Sequence, residues 1–382
     1  MEPLPPPVVV VLDPDDDVVH VRTALAAHDP LAGRVTLHPA PGTTGETYLA
    51  HDLLAALGKP PRLPGRFTSG GEPAWQAATA WILAAGTTRL TVLRAHLLTG
   101  RRLQRLLELR EQAGLHLVLV CYRPRLPAVL HQGLLAVEHA VTSDLAFARS
   151  SYYGTPAAPD HGGAQQSPVR RPPAERWITL AALDRLVSAD SVSPCLGACT
   201  PPPIDWRYRP PPPPLTRATA AQVVRRIHAR TAHPGLAAAL ATAVFTGTSL
   251  QQLATARPQD VQDHAATVAL HDPARYTDGC ATHPVHPWAR PFLCAASHFA
   301  ALTEATYLLA RPQDRTALLR LVEAARLRPP QPPATQRIGP PGRIEWAWRE
   351  RHEAARYDAL LAAYRQRHPA QDTSRPPGDR YT

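Results

Sequence analysis

The stretch "LHPAPGTTGETYLAHDLLAALG", residues 37 to 58, decides how the first half of the chain is read. Its segment Ala40-Pro41-Gly42-Thr43-Thr44-Gly45-Glu46-Thr47 runs close to the phosphate-loop signature G-x-x-x-x-G-K-[ST], with Glu46 standing where the lysine belongs. A short β-type run, "GRVTLHP", precedes it, and Leu49, Leu53, Leu54 and Leu57 follow at helical spacing. Strand, glycine-bearing loop and helix in that order form the context in which a phosphate loop operates. An alternative is that Gly42 to Thr47 is a turn and helix cap, with Thr44 or Thr47 capping.

Outward from this stretch the alternation continues. "PAWQAATAWILAAG" predicts a helix, "RLTVLRA" a strand, "GRRLQRLLELREQAG" an amphipathic helix and "LHLVLVCYRP" a buried strand. Residues 18–150 are therefore expected to form an α/β domain, a parallel sheet with helices on both faces. Residues 1–17 are expected to be a flexible N-terminus. Proline-rich text marks boundaries: a linker with one short helix at 151–215, a second linker at 328–343, then a helix at 344–366 and a disordered tail at 367–382. Between the linkers, 216–327 reads as a mainly α second domain with a small β element.

The formal net charge of +10 favours an anionic partner, nucleic acid first and an acidic membrane surface second, and DNA is the partner assigned. A protein partner met through the proline-rich segments is the alternative. Nearly all basic residues are arginine, and Lys59 is the only lysine, so any lysine-dependent mechanism must use it. Five scattered cysteines, and an N-terminus without a basic region before its apolar run, point to a reduced cytoplasm. No apolar run approaches the ~18 residues of a membrane span.

Residues 30–135 resemble the nucleotide-binding core of AAA-type ATPases of the kind that help transposases. In that family the second strand of the core ends in Asp-Glu-Ala-His; here Leu93-Arg94-Ala95-His96 occupies the matching place, and a polar sensor position falls near Cys121 or Tyr122. The resemblance implies a P-loop fold in a mobile-element or plasmid context, but the charged chemistry departs from it. At ~4 Å and an effective dielectric near 20, Glu46 turns an attraction of roughly 4 kcal/mol for phosphate into a repulsion of similar size. Leu93 offers no oxygen for magnesium, and the Arg94 guanidinium cannot act as a base. Tight nucleotide binding is not expected, and no cofactor is assigned.

The text "FTGTSLQQLATARPQDV" and the later "HPVHPWARPFL" give the second region a resemblance to the catalytic domain of tyrosine recombinases, the phage-integrase family. Ser249 stands at the position of that family's first catalytic arginine, and no lysine is available for its hairpin role. Tyr357 and Tyr364 therefore lack the cationic partners that strand cleavage requires. Cys280, His283, His286, Cys294 and His298 are zinc-type residues at a spacing that matches no common finger, and no metal is assigned. The candidate nucleic-acid contacts are Arg101, Arg102, Arg105, Arg225, Arg226 and Arg230, with Arg123 and Arg125 in a further cluster.

Together these features predict a non-catalytic DNA-associated or regulatory protein. Two alternatives stand beside it: an active P-loop NTPase with an atypical loop, drawing its cation from another subunit, Arg34 or Arg123, and a scaffold that acts through its proline-rich segments.

Overall fold

Four consecutive valines and a leucine, bounded by prolines before and aspartates after, form the strand β1, Val8–Leu12. Such an uninterrupted apolar run suits a strand covered on both faces. The expectation of a flexible N-terminus over residues 1–17 is corrected here, because β1 lies inside a sheet, hydrogen-bonded to a neighbour on each side. In the computed structural model, residues 6–43, 45–60, 72–154, 177–183, 186, 212–262, 264–271, 280–309 and 314–328 are described. The linker, helix and tail expected beyond residue 328 fall outside them, as does most of 155–211.

The sheet adds β2 (Arg34–Leu37), β3 (Arg89–Val92), β4 (His116–Cys121) and β5 (His139–Thr142). All pairings are parallel, in the order β2-β3-β4-β1-β5. The protein is thus α/β, and the sheet is consistent with a P-loop-like layout. Helices α1 (Val18–Ala26) and α6 (Leu145–Tyr153) lie together on one face, where Val9, Val11, Val118 and Val120 pack with Ala24, Ala148 and Tyr152. The other face holds α2 (Glu46–Ala56), α3 (Glu72–Ala84), α4 (Gly100–Ala113) and α5 (Ala128–Leu134), packed on Val8, Val10, Val35 and Leu119. The valines of β1 alternate between these two cores, each worth about 1.5–3 kcal/mol when buried.

The second half contributes α7 (Arg217–Arg230), α8 (Pro234–Thr246), α9 (Leu250–Leu253), α10 (Arg290–Leu302) and α11 (Arg315–Ala324). A small antiparallel sheet joins β6 (Val261–Gln262), β7 (Thr267–His271) and β8 (Cys280–Pro284) in that order. This half is mainly helical with a small β element, as its patterning predicts. Every residue of α8 from Pro234 to Phe245 is buried, so α8 is a central helix rather than an amphipathic surface one. Its many alanines let α10 approach closely.

Residues 18–150 and 216–327, expected as separate domains, share one continuous apolar core. The helix α3 packs against α10 and α8, Trp81 Nε1 donates to Ala232 O at 2.7 Å, and Gln76 Nε2 donates to Leu302 O at 3.1 Å. Within the expected linker, Ile178 and Leu180 donate backbone hydrogen bonds to Arg326 and Leu327, and Leu183 is buried. The stretch 177–183 is therefore part of the body. Among the described residues, no helix is long and apolar enough to cross a membrane.

Candidate functional site

Ligands of open parallel sheets bind outside the carboxyl ends of the strands, where successive connections leave for opposite faces. After β1 the chain passes through α1 on one face to β2; after β4 it passes through α5 on the other face to β5. The crevice therefore opens between β1 and β4. Asp13 N donates to Cys121 O at 2.9 Å, which ties the two strand ends together at this point.

Asp13, Asp15, Asp16 and Asp17 fill the loop that leaves β1. Asp17 caps α1 by accepting from Val19 N at 2.9 Å, and Asp13 Oδ1 accepts from Asp17 N at 3.0 Å. Asp13 is buried, and its Oδ2 has no hydrogen-bond partner. Asp16 adopts a left-handed conformation at φ 49°, unusual for a residue bearing a side chain. The loop carries carboxylates and a helix cap where a phosphate cradle would carry glycine amides and a lysine.

Across the crevice, Leu93 and Arg94 follow β3. Leu93 is buried in the α1–α6 core, and Arg94, at φ 53°, starts a 3₁₀ turn over Ala95–Leu97. Tyr122 N donates to His96 Nδ1 at 3.3 Å, which leaves the proton of the neutral imidazole on Nε2; the two rings meet edge-on, 5.6 Å between centroids. Burial first, then Arg123 and Arg94, hold His96 below its ordinary pKa against the opposing pull of Asp16. Burial pushes the Tyr122 hydroxyl up to about 12, with Asp16 adding to the rise. The Cys121 thiol is likewise pushed up to about 12 by burial. At ordinary pH the phenol and thiol therefore stay protonated and are not activated nucleophiles, while the imidazole is neutral.

The loop 42–47 is elsewhere. It follows β2, the edge strand, with β3 and β4 between it and the crevice. Gly42 turns at φ 77°, and Gly45 stands at the N-cap of α2. Thr43 Oγ1 donates to Ala40 O and accepts from Arg102 Nη2, both at 2.9 Å. Arg102 Nε and Nη2 also donate to Gly45 O at 3.2 and 3.0 Å. Glu46 Oε2 accepts from Arg105 Nε at 3.0 Å, in the first turn of α2 where a carboxylate suits the helix dipole. Thr47 is half-buried in that turn, and Thr44 lies outside the described residues. The motif is thus a turn locked by α4 at the edge of the sheet: motif spacing shows that a loop precedes a helix, not which strand leads into it.

Ser249 is a cap. Its Oγ accepts from Gln252 N at 3.3 Å, while Gln252 Oε1 accepts from Ser249 N at 3.2 Å, closing a capping box at α9. Among the candidate arginines, Arg102 and Arg226 are buried, Arg226 donating to Arg326 O at 2.8 Å, and Arg105 bridges Glu46 and Glu108. Arg101, Arg225 and Arg230 are exposed. Among the described residues, no three His, Cys, Asp or Glu side chains stand close enough to share a metal ion. His283 lies on β8 and Cys294 and His298 on α10, while the Cys280 side chain is outside the description.

The crevice residues Asp13 to Asp17 have a sequence signal that motif spacing passes over. Five apolar residues followed by an aspartate run is the pattern of a strand and a helix cap. The fold and crevice define an α/β protein with a five-stranded parallel sheet. No protein-family model, curated protein or solved structure matches this chain.

Proposed function

We propose that this chain is a non-catalytic, DNA-associated regulatory protein, in which a P-loop-like sheet serves as a scaffold rather than a nucleotide engine. The observation that carries it is the acidic loop at the crevice: carboxylates of Asp13, Asp15, Asp16 and Asp17 stand where a triphosphate would lie. Each carboxylate repels a phosphate at close range by an amount comparable to the attraction a lysine supplies. The one lysine, Lys59, is buried against Trp81 and His228, away from the β1 loop. Leu93, at the end of β3, offers nothing to a magnesium ion. The net charge of +10 supports an anionic partner, and the resemblances to transposition-helper ATPases and recombinases support a mobile-element setting.

Titration of the full chain with ATP and magnesium tests the first half of this proposal. No saturable binding up to millimolar nucleotide is expected; micromolar binding or measurable hydrolysis would overturn it. The competing reading is an NTPase that draws its cation from Arg123, favoured by the position of that residue beside His96 at the crevice. It requires nucleotide binding that Arg123→Ala abolishes.

A further inference from the structure

Three of the arginines that the sequence offers for DNA are engaged inside the molecule. Arg102 holds the 42–47 turn, Arg105 pairs with two glutamates, and Arg226 holds Arg326. A different set gathers at the carboxyl end of the sheet. Arg94 leads out of β3, Arg101 opens α4 seven residues later, and Arg123 and Arg125 lie on the β4–α5 loop. Parallel topology puts these two loops side by side, since β3 and β4 are hydrogen-bonded neighbours. The starts of α4 and α5 also meet: a Cβ added at Gly100 would stand 4.0 Å from Val129 Cγ1.

Arg101, Arg123 and Arg125 are exposed and Arg94 is half-exposed. None of the four guanidiniums makes a hydrogen bond or ion pair within the described residues. Arg94 and Arg123 both act electrostatically on His96, which places both within reach of one imidazole. Arg94 is held in a left-handed conformation, a cost of order 1 kcal/mol that the fold accepts at this position.

We propose that the rim of Arg94, Arg101, Arg123 and Arg125 at the ends of β3 and β4 is the surface that takes the phosphate backbone of duplex DNA. This rests on the DNA association proposed above and assigns it to one face. The acidic loop after β1 bounds the rim on one side and confines phosphates to the β3–β4 side. The chemistry is that of backbone contact, in which separate guanidiniums position a duplex without reading its bases. Leu97 and Val129, exposed beside the arginines, give a protein partner something to cover as well, so an acidic polypeptide belongs in the test.

The experiment measures anisotropy of a labelled duplex of about 20 base pairs with the full chain, from roughly 50 to 200 mM salt. Wild type is compared with Arg94→Gln/Arg123→Gln/Arg125→Gln and with Arg320→Gln, an exposed arginine of the helical half. With three phosphate contacts gone, the slope of log K against log salt becomes shallower by roughly 2.7, and affinity at the lowest salt falls about tenfold or more. Arg320→Gln changes neither, and Asp16→Asn tightens binding. A wild type that binds and a triple variant that keeps the wild-type slope would overturn the rim while leaving DNA association intact. A wild type that does not bind duplex at low salt removes DNA association itself. Polyglutamate of matched charge binding as tightly as the duplex, and lost in the same variant, would reassign the rim to an acidic protein. Thermal melts confirm folding, and substitution of exposed, unpaired arginines is expected to leave them unchanged.

Discussion

Lys59 is the residue whose surroundings are least ordinary. Its Nζ lies 3.3 Å from the centre of the Trp81 ring and in contact with His228 Nδ1, with Phe292 beyond. Burial holds its pKa well below the usual 10.5. The unfolded chain therefore binds a proton that the folded chain does not, and stability rises with pH through the window between the folded value and 10.5. His116 acts in the same direction lower down: burial, with Arg89 and Arg110, holds it at about 4 instead of 6.5, so its contribution is present above 6.5 and lost as pH falls toward 4. Lys59→Met is expected to flatten the upper part of this dependence and to raise stability near neutrality by about 1 kcal/mol. Denaturant midpoints from pH 6 to 10, on wild type and variant, check it; parallel curves would be the wrong outcome. Glu46→Lys supplies a second test. It sets a lysine against Arg105 at the edge of the sheet, so it should cost up to about 1 kcal/mol and confer no nucleotide binding. Micromolar ATP binding by that variant would place the loop in the wrong part of the molecule.

At the scale of elements, capping and turn chemistry account for several residues that motif spacing invests with function. Ser249 and Gln252 close α9, and Ser249→Ala should lower stability by about 1 kcal/mol, read from thermal melts. Arg102 joins α4 to the turn before α2 through three donated hydrogen bonds. Arg102→Met should cost about 2–3 kcal/mol, because the Gly45 carbonyl and Thr43 hydroxyl lose their partner. Hydrogen exchange should then speed up at residues 42–47 before it does in β4; uniform protection would contradict a local role. The β1 strand shows what a short apolar run leaves open. "VVVVL" is legible as a strand, yet nothing within it says that it is flanked by β4 and β5.

Across the whole molecule, the sheet half and the helical half bury their apolar faces in each other. Trp75, Trp81 and Ile82 on α3 belong to the same core as Phe292 and Leu293 on α10. A fragment ending at Gly154 exposes that face of α3, so it should fail to fold cooperatively, whereas the full chain should show one unfolding transition for this body. Circular dichroism and calorimetry on both distinguish the cases; a fragment with a sharp transition of its own would show that the halves are independent. Two proline-rich boundaries in the sequence suggest independence, but proline fixes only the local backbone. Whether two patterned regions dock is decided by the apolar surface each leaves uncovered.

Local patterning alone determined the α/β class, the parallel alternation, the helical second half with its small β element, and the lack of a carboxylate at Leu93 and Arg94 after β3. These are legible because they depend on side-chain period, turn residues and charge over a few neighbouring positions. Tertiary structure alone decided that Val8–Leu12 lies inside the sheet, that the Glu46 turn sits at its edge, and that Asp16 from the first loop and Arg94 and Arg123 from the third and fourth strand ends come within reach of His96. Parallel strand order is set by contacts between residues far apart in sequence, and no local pattern encodes which strand becomes whose neighbour.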